Sequence, residues 1–324
     1  MTAGIQPDAQ ERSPHPAFRV DDPGLFTTVQ DLGRTGRYSS GVPTGGAMDR
    51  FALAAANRLV GNEPGAAALE ATLAGPALTA VHGCLVAVTG GDLAPELGGR
   101  PVSGWTSFFM AAGDQLRFGR RRSGARAYIA VAGGFDGDRW LGSRSTYLLV
   151  GRGGMHGRQL EAGDELRRLA PPAGPAVVGR SLPPHLRPRY RREPELRCVP
   201  GPHARTLGRA ERERWLAGPW QVSREADRMG YRLEGPALQL ELPELISFGL
   251  AMGCVQVPPS GLPILLLADH QTAGGYPVIA TVASADLPLA AQLLPGDAVR
   301  FREIGVVEAQ EAARAQSGAL ATLR

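Results

Sequence analysis

The 324-residue chain contains no lysine; all 35 of its basic residues are arginine. This absence excludes a Walker A phosphate loop, a Schiff-base lysine and a Ser-x-x-Lys nucleophile pair. Any phosphate or carboxylate bound here must be held by arginine, backbone N–H, hydroxyls or a metal. A high-GC coding bias also replaces lysine by arginine, but the chemical exclusion stands under either cause. Cysteine is scarce. Cys84, Cys198 and Cys254 have no CxxC spacing, which points to buried thiols in a reducing compartment and not to a disulfide framework. The six histidines form no HxxH or HExxH pair, so no metal site is expected. No apolar run approaches the ~18 residues of a membrane helix. Residues 1–17 carry no secretory apolar core. A cytoplasmic protein without a membrane partner is expected. The net charge of +4 is small and dispersed, so a nucleic-acid partner is not expected.

Hydrophobic residues make up 43% of the chain, which excludes global disorder. The 43 glycines and 27 prolines, with few aromatics, suit many short strands and turns. Residues 1–17 read as a disordered leader and 18–170 as a first β domain. Residues 171–195, rich in proline and arginine, read as an extended linker. Residues 196–302 read as a second β domain and 303–324 as a helical tail. Helices are expected near 49–60, 209–216, 286–294 and 307–316. An internal echo supports two similar units. Leu73-Ala74-Gly75-Pro76-Ala77-Leu78 resembles Leu233-Glu234-Gly235-Pro236-Ala237-Leu238, and Gly113–Phe118 resembles Gly296–Phe301. Two packed β domains would leave a cleft between them.

Chemistry concentrates between Gln256 and Asp286. Two apolar runs, Ile264–Ala268 and Val278–Val282, read as buried strands. Between them lies a polar loop with Asp269, His270, Gln271, Thr272, Gly274, Gly275 and Tyr276. Such a loop on a rigid scaffold suits a binding site; an ordinary hairpin is the plainer reading. A second glycine-rich loop, Gly41–Asp49, opens the helix at 49–60. Its N–H groups could hold an anion, or Asp49 could cap the helix. Gln30–Arg37, with Arg34, could hold an anion or form a solvated turn.

Six stretches resemble one known family: VQDLGR (29–34), GAMDRFALAAANRLVGN (46–62), LGSRSTY (141–147), DRMGYRLEGP (227–236), VQVPPSG (255–261) and QTAGGYP (271–277). Together they resemble subunit 2 of the allophanate hydrolase and biotin-dependent carboxyltransferase family. That family includes the third subunit of bacterial 5-oxoprolinase, the antagonist of the sporulation-kinase inhibitor, and part of the carboxyltransferase region of urea carboxylase. The resemblance implies a mainly β fold of two cyclophilin-like β-barrel domains with a few short helices. It implies two partners, a subunit 1 and a lactam-utilising subunit. It implies ATP (with Mg) at the level of the complex, acting on a small cyclic amide such as 5-oxoproline. Biotin enters only if the chain is instead a carboxyltransferase component, and a non-catalytic regulator is a third reading. Phe248 and Val278 stand where relatives often carry an acidic and a basic residue.

Asp269, Gln271 and Asp227 are the candidate catalytic residues, as acid/base or amide-orienting groups. Arg34, Gly46, Asp49, Arg228, Gln256, Thr272, Gly274, Gly275 and Tyr276 are the candidate substrate-binding residues. A surface ion pair is the plainer reading of Asp227 and Arg228.

Overall fold

The structure, a computed structural model, describes residues 14–171, 177–240 and 245–323. Most of the expected leader, residues 1–13, lies outside them. His15–Ala17 belong to the first strand, His15–Asp22, and not to the leader.

The fold is mainly β. First-half strands form two sheets. The six-stranded sheet runs in the order Glu165–Arg168, His15–Asp22, Ala77–Ala80, Gln115–Phe118, Pro95–Leu97, Arg100–Pro101. The five-stranded sheet runs Phe26–Gln30, Ala68–Thr72, Ser123–Val131, Cys84–Asp92, Thr106–Met110. Alternation along the second sheet is apolar on both faces. Leu69, Val86, Val88, Ile129 and Val131 face the first sheet and share its core. Ala68, Leu85, Ala87 and Ala130 point the other way and pack under helix α1 (Arg50–Leu59). The period of two in a strand buried on both faces explains these nearly continuous apolar runs.

Second-half strands close a seven-stranded barrel: Glu195–Pro200, Val278–Val282, Cys254–Gln256, Ile264–Leu266, Gly230–Glu234, Trp220–Ala226, Ala298–Glu303. A parallel pairing of Glu195–Pro200 with Ala298–Glu303 completes the ring. Its core includes Met48 of the first half, so the Gly41–Asp49 loop reaches into the second half. Helix α2 spans Arg209–Ala217 and α3 only Leu287–Ala290, much shorter than the 286–294 expected. Helix α4 is longer than expected, Val306–Ala321, and its Ala319 is buried in the core beneath α1.

The strands Ile264–Leu266 and Val278–Val282 do not pair with each other. Cys254–Gln256 lies between them and bonds to both. The loop they bracket is therefore a crossover, not a hairpin. The Pro/Arg-rich segment is packed, where described, instead of being a free linker: Leu182 is fully buried and Arg180 donates to the Arg58 carbonyl at 3.1 Å. The sequence echo is a repeated turn. Gly113 and Gly296 have φ of 88° and 87°. The following aspartates, Asp114 and Asp297, accept the N–H three residues back at 2.7 and 3.0 Å. Gly163-Asp164 makes the same turn, with Asp164 accepting from Glu161 at 2.8 Å.

Candidate functional site

Asp227 bends the chain before the strand Gly230–Glu234. Its carboxylate accepts the N–H groups of Met229 at 2.8 Å and Gly230 at 3.2 Å. This aspartate turn sends Arg228 into the joint between the halves, where it is 9% exposed. Arg228 Nε donates to Asp269 Oδ2 at 2.8 Å, and Nη2 to Asp269 Oδ1 at 3.3 Å and to the Gly46 carbonyl at 2.5 Å. Nη1 donates to Glu70 Oε1. Burial opposes the guanidinium charge, but Asp269 and Glu70 outweigh it and hold Arg228 above its usual range. The surface ion pair between Asp227 and Arg228 is thus replaced by a buried bridge from Arg228 to Asp269 and Glu70.

Glu70 is equally committed. Its Oε2 accepts the Met48 N–H at 2.9 Å and the Tyr128 hydroxyl at 2.7 Å. Tyr128 in turn accepts the Asp49 N–H at 2.7 Å. Asp49 caps α1 by accepting the Ala52 N–H at 2.8 Å, so the capping reading of the glycine-rich loop holds. It also accepts from Tyr190 at 2.6 Å and Gln292 at 3.0 Å. Burial pushes its carboxyl up to about 6 against those three bonds. Asp49 is therefore a joint between segments and not a surface for substrate.

Two cavities flank the Asp227–Met229 turn. One, of about 340 Å³, is the cleft between the halves; Phe26, Tyr147, Leu148 and Leu149 face Arg228, Met229 and Asp269 across it. The other, of about 520 Å³, is lined by Gln256, Gln271 and Tyr276 with Asp227 and Met229. The residues expected in one site are thus divided between two neighbouring chambers. Gln271 Nε2 reaches Gln256 Oε1 at 3.4 Å, and Gln256 Nε2 donates to the Tyr276 carbonyl at 3.2 Å. His270, between Asp269 and Gln271, is buried; its Nδ1 lies 2.6 Å from the Gln271 carbonyl and its Nε2 3.1 Å from the Tyr38 hydroxyl. Burial lowers its pKa, so the neutral ring fits both contacts and fixes the loop backbone.

The remaining candidates are structural where the contacts are known. The Thr272 carbonyl accepts the Leu250 N–H at 2.9 Å. Gly274 pairs with Phe248 in a two-residue ladder. Neither Gly274 nor Gly275 uses a left-handed backbone. Gly46 does need it, with φ of 86°. Arg34 is 1% exposed, donates to the Ser145 carbonyl and lies 4.9 Å from the Trp140 ring. Its Nε and Nη1 have no hydrogen-bond partner among the described residues. Burial pulls its pKa down, while Asp31 and Asp269 oppose that. Phe248 and Val278 flank one histidine: the His203 ring lies tilted against Phe248 with centroids 5.0 Å apart, and its Nδ1 accepts the Val278 N–H at 3.1 Å.

Two of the sequence stretches meet here. Asp31 accepts from the hydroxyls of Ser143 at 2.6 Å and Ser145 at 2.5 Å and from the Arg144 N–H at 2.7 Å. Glu70, Arg126, Tyr128, Tyr147 and Gln292 were not expected from the sequence. For Glu70 and Arg126 the signal was there: each is a lone charge within an apolar strand.

Magnesium-bound ATP does not fit this cluster. No group of three or more His, Cys, Asp or Glu side chains among the described residues could hold a metal ion. The carboxylates of Glu70, Asp49 and Asp269 are already engaged by protein donors, whereas magnesium needs open oxygen ligands in near-octahedral array.

Known proteins share this architecture. A 5-oxoprolinase subunit of Escherichia coli (strain K12) is 39% identical over 300 residues, covering 90% of this chain and 93% of that protein. Urea amidolyase of Lachancea kluyveri is 33% identical over 328 residues, covering 95% of this chain but 18% of that protein. The crystal structure of K. lactis urea amidolyase matches with a TM-score of 0.89 at 30% identity, over 98% of this chain and 20% of that one. The carboxyltransferase domain family, subdomains A and B, matches residues 40–303. The chain belongs to the carboxyltransferase domain family.

Proposed function

We propose that this chain is one subunit of an ATP-dependent 5-oxoprolinase-type complex that opens a small cyclic amide. The observation that carries this reading is similarity along 93% of the E. coli 5-oxoprolinase subunit, against 18% of urea amidolyase. The partners would be a subunit 1 and a lactam-utilising subunit, acting together in the cytoplasm. A lactam carbonyl is a resonance-stabilised, poor electrophile. Its opening needs an activated carbonyl oxygen and stabilisation of developing negative charge. Since no magnesium–nucleotide site fits the cluster described above, activation is assigned to a partner. This chain's part is binding and orientation. Asp269, fixed by Arg228, faces the cleft and can accept an amide N–H; the carboxamides of Gln271 and Gln256 can pair with an amide edge next door. Arg228 has four of its five N–H donors in use, so it positions Asp269 and is not free to receive an oxyanion.

A carboxyltransferase role is favoured by the urea amidolyase match. Carboxybiotin would then arrive on another chain, because this one has no lysine to carry biotin. The apolar lip of Leu148, Leu149 and Met229 beside the polar Asp269 fits a ring with one ureido edge.

Reconstitution separates the two. The chain, co-purified with both partners, should release glutamate from 5-oxoproline with ATP consumption, and omission of the chain should abolish release. Full activity without it would refute the proposal, as would turnover by this chain alone. Carboxylation of urea by carboxybiotin, without lactam opening, would establish the second reading.

A further inference from the structure

A third cavity, of about 410 Å³, lies apart from both chambers, in the first half. Its walls are the end of the strand Cys84–Asp92, the 101–105 loop, Arg122 and Arg187. Arg122 is 3.6 Å from Asp92, a loose pairing. Arg187 forms no salt bridge among the described residues. Its Nε donates to the Leu182 carbonyl at 2.6 Å, which fixes the guanidinium in the wall while it is partly buried. Burial without a compensating charge lowers its pKa. Its remaining N–H donors pair with no carboxylate among the described residues and can take an anion.

The loop that completes the wall is itself held in a costly shape. Trp105 has φ of 61°, in the left-handed region that L-residues disfavour. Its N–H donates to the Val88 carbonyl at 2.7 Å, and its carbonyl accepts the Leu182 N–H at 3.1 Å. Those bonds place exposed Ser103 and open Gly104 in the wall. Backbone held off its preferred basin by its neighbours, at the edge of a cavity, is a mark of a ligand site.

We propose that this cavity binds a phosphate-bearing small molecule through Arg122 and Arg187. Two guanidinium groups approach from separate segments, which suits a tetrahedral anion reached from two sides better than a single planar carboxylate. Without lysine, arginine forks are the only permanent cations the chain can offer. The site goes beyond the amide reading of the cleft and does not depend on it. It does touch the joint between the halves: a Cβ on Gly91, in the cavity wall, would lie 3.2 Å from Gln292 Oε1, the amide that also binds Asp49. A ligand here should therefore stiffen that joint and raise the melting temperature.

The test is calorimetric titration and thermal unfolding of the full chain with inorganic pyrophosphate, using sodium glutamate at matched ionic strength as the carboxylate control. Saturable pyrophosphate binding with a rise in Tm is expected, and glutamate should do neither. Arg187→Gln and Arg122→Gln should each weaken binding about tenfold or more. Ser103→Asp, at an exposed position, should abolish it without affecting folding, whereas Arg209→Gln on the outer face of α2 should leave it unchanged. No saturable binding at millimolar pyrophosphate would overturn the proposal. Equal binding of glutamate would overturn it too, as would an affinity indifferent to both Arg187→Gln and Ser103→Asp.

Discussion

Gln292 donates from Nε2 to the Asp49 carboxylate at 3.0 Å, joining the second half of the chain to the first. The same nitrogen donates to the Arg126 carbonyl at 3.0 Å, and Oε1 accepts the Ala125 and Arg126 N–H groups, each at 2.8 Å. All four hydrogen-bonding positions of the amide are thus used. Gln292→Ala leaves two buried backbone donors, one backbone carbonyl and one carboxylate each a partner short. Each orphan costs ~1–3 kcal/mol, so a loss of about 3 kcal/mol or more in urea unfolding is expected. A change below about 0.5 kcal/mol, the range of ordinary surface substitutions, would mean that the halves are held together elsewhere.

Asp49 makes that joint sensitive to pH. Burial raises its carboxyl from 3.8 to about 6 in the folded chain. A folded pKa above the unfolded one contributes stability that is full below pH ~4 and lost as pH rises through ~6. At ~1.4 kcal/mol per unit, the window carries on the order of 3 kcal/mol. Asp49→Asn keeps a capping oxygen and removes the titration. Its stability relative to the parent should improve steadily from pH 4 to 6 and level off above. Denaturant melts of both proteins across that range would show it; a constant difference would place the Asp49 pKa outside the window.

Arg228 bridges Asp269 and Glu70, and both carboxylates are nearly buried. Arg228→Ala strands two negative charges, a change that typically costs ~3–5 kcal/mol. Arg228→Lys should rescue little, since one ammonium cannot reproduce a fork that serves Asp269, Glu70 and the Gly46 carbonyl. Equilibrium unfolding of the two variants is the measurement, and near-native stability of the lysine variant would show that charge alone suffices.

Asp269 and Gln271 should separate stability from function. Gln271 is exposed, and its one side-chain bond among the described residues is a long 3.4 Å contact. Gln271→Ala in the assembled complex should keep the parent Tm and lower activity roughly 5- to 150-fold, the equivalent of one hydrogen-bond partner at ~1–3 kcal/mol. Asp269→Ala should lower both, because it also strands Arg228. Undiminished turnover in both variants would remove this loop from the chemistry.

The elements were legible because their patterns are local. The run Val278–Val282 is a strand at the residues expected, and the apolar stripe with Asp49 before it marked α1. Pairing was less legible. Nothing in the residues around Ile264 says that Cys254–Gln256 inserts between it and Val278, because a strand's neighbours are chosen by long-range packing. Within the site, Arg228 was found through a stretch shared with relatives and Asp269 through the polar loop between two apolar runs, but their bond was not. The Glu70–Arg228 bridge spans residues 158 apart in sequence, so only the fold brings them together. Helix α3 starts at Leu287 without a side-chain cap, because Asp286 holds Arg197 at 2.6 Å, and it stops at Ala290, short of the expected end at 294.

Glycine provides the sharpest contrast between what a sequence motif suggests and what the backbone requires. Gly46 and Gly275 both lie in shared stretches, and both were expected near substrate. At Gly46 φ is 86°, and a Cβ would come within 2.7 Å of the Gly33 nitrogen and 2.8 Å of the Asp31 carbonyl oxygen. Those are backbone atoms that cannot swing aside, and the Gly46 carbonyl also receives Arg228. Gly46→Ala therefore combines left-handed strain of ~1–2 kcal/mol with a clash that pushes apart the loop, the Asp31 turn and the Arg228 bridge. At Gly275 no positive φ is used, and a Cβ would meet only the Leu245 carbonyl at 3.1 Å and the Ser247 hydroxyl at 3.9 Å. A few tenths of an ångström of movement accommodates it. Gly46→Ala should lower stability by at least about 2 kcal/mol and lower the yield of folded protein. Gly275→Ala should stay within about 1 kcal/mol of the parent, since a glycine at ordinary dihedrals gains from the stiffer unfolded chain. Parallel denaturant melts decide the matter: equal losses at the two positions would mean that the loop around Gly275 is as tightly constrained as the one that carries Gly46.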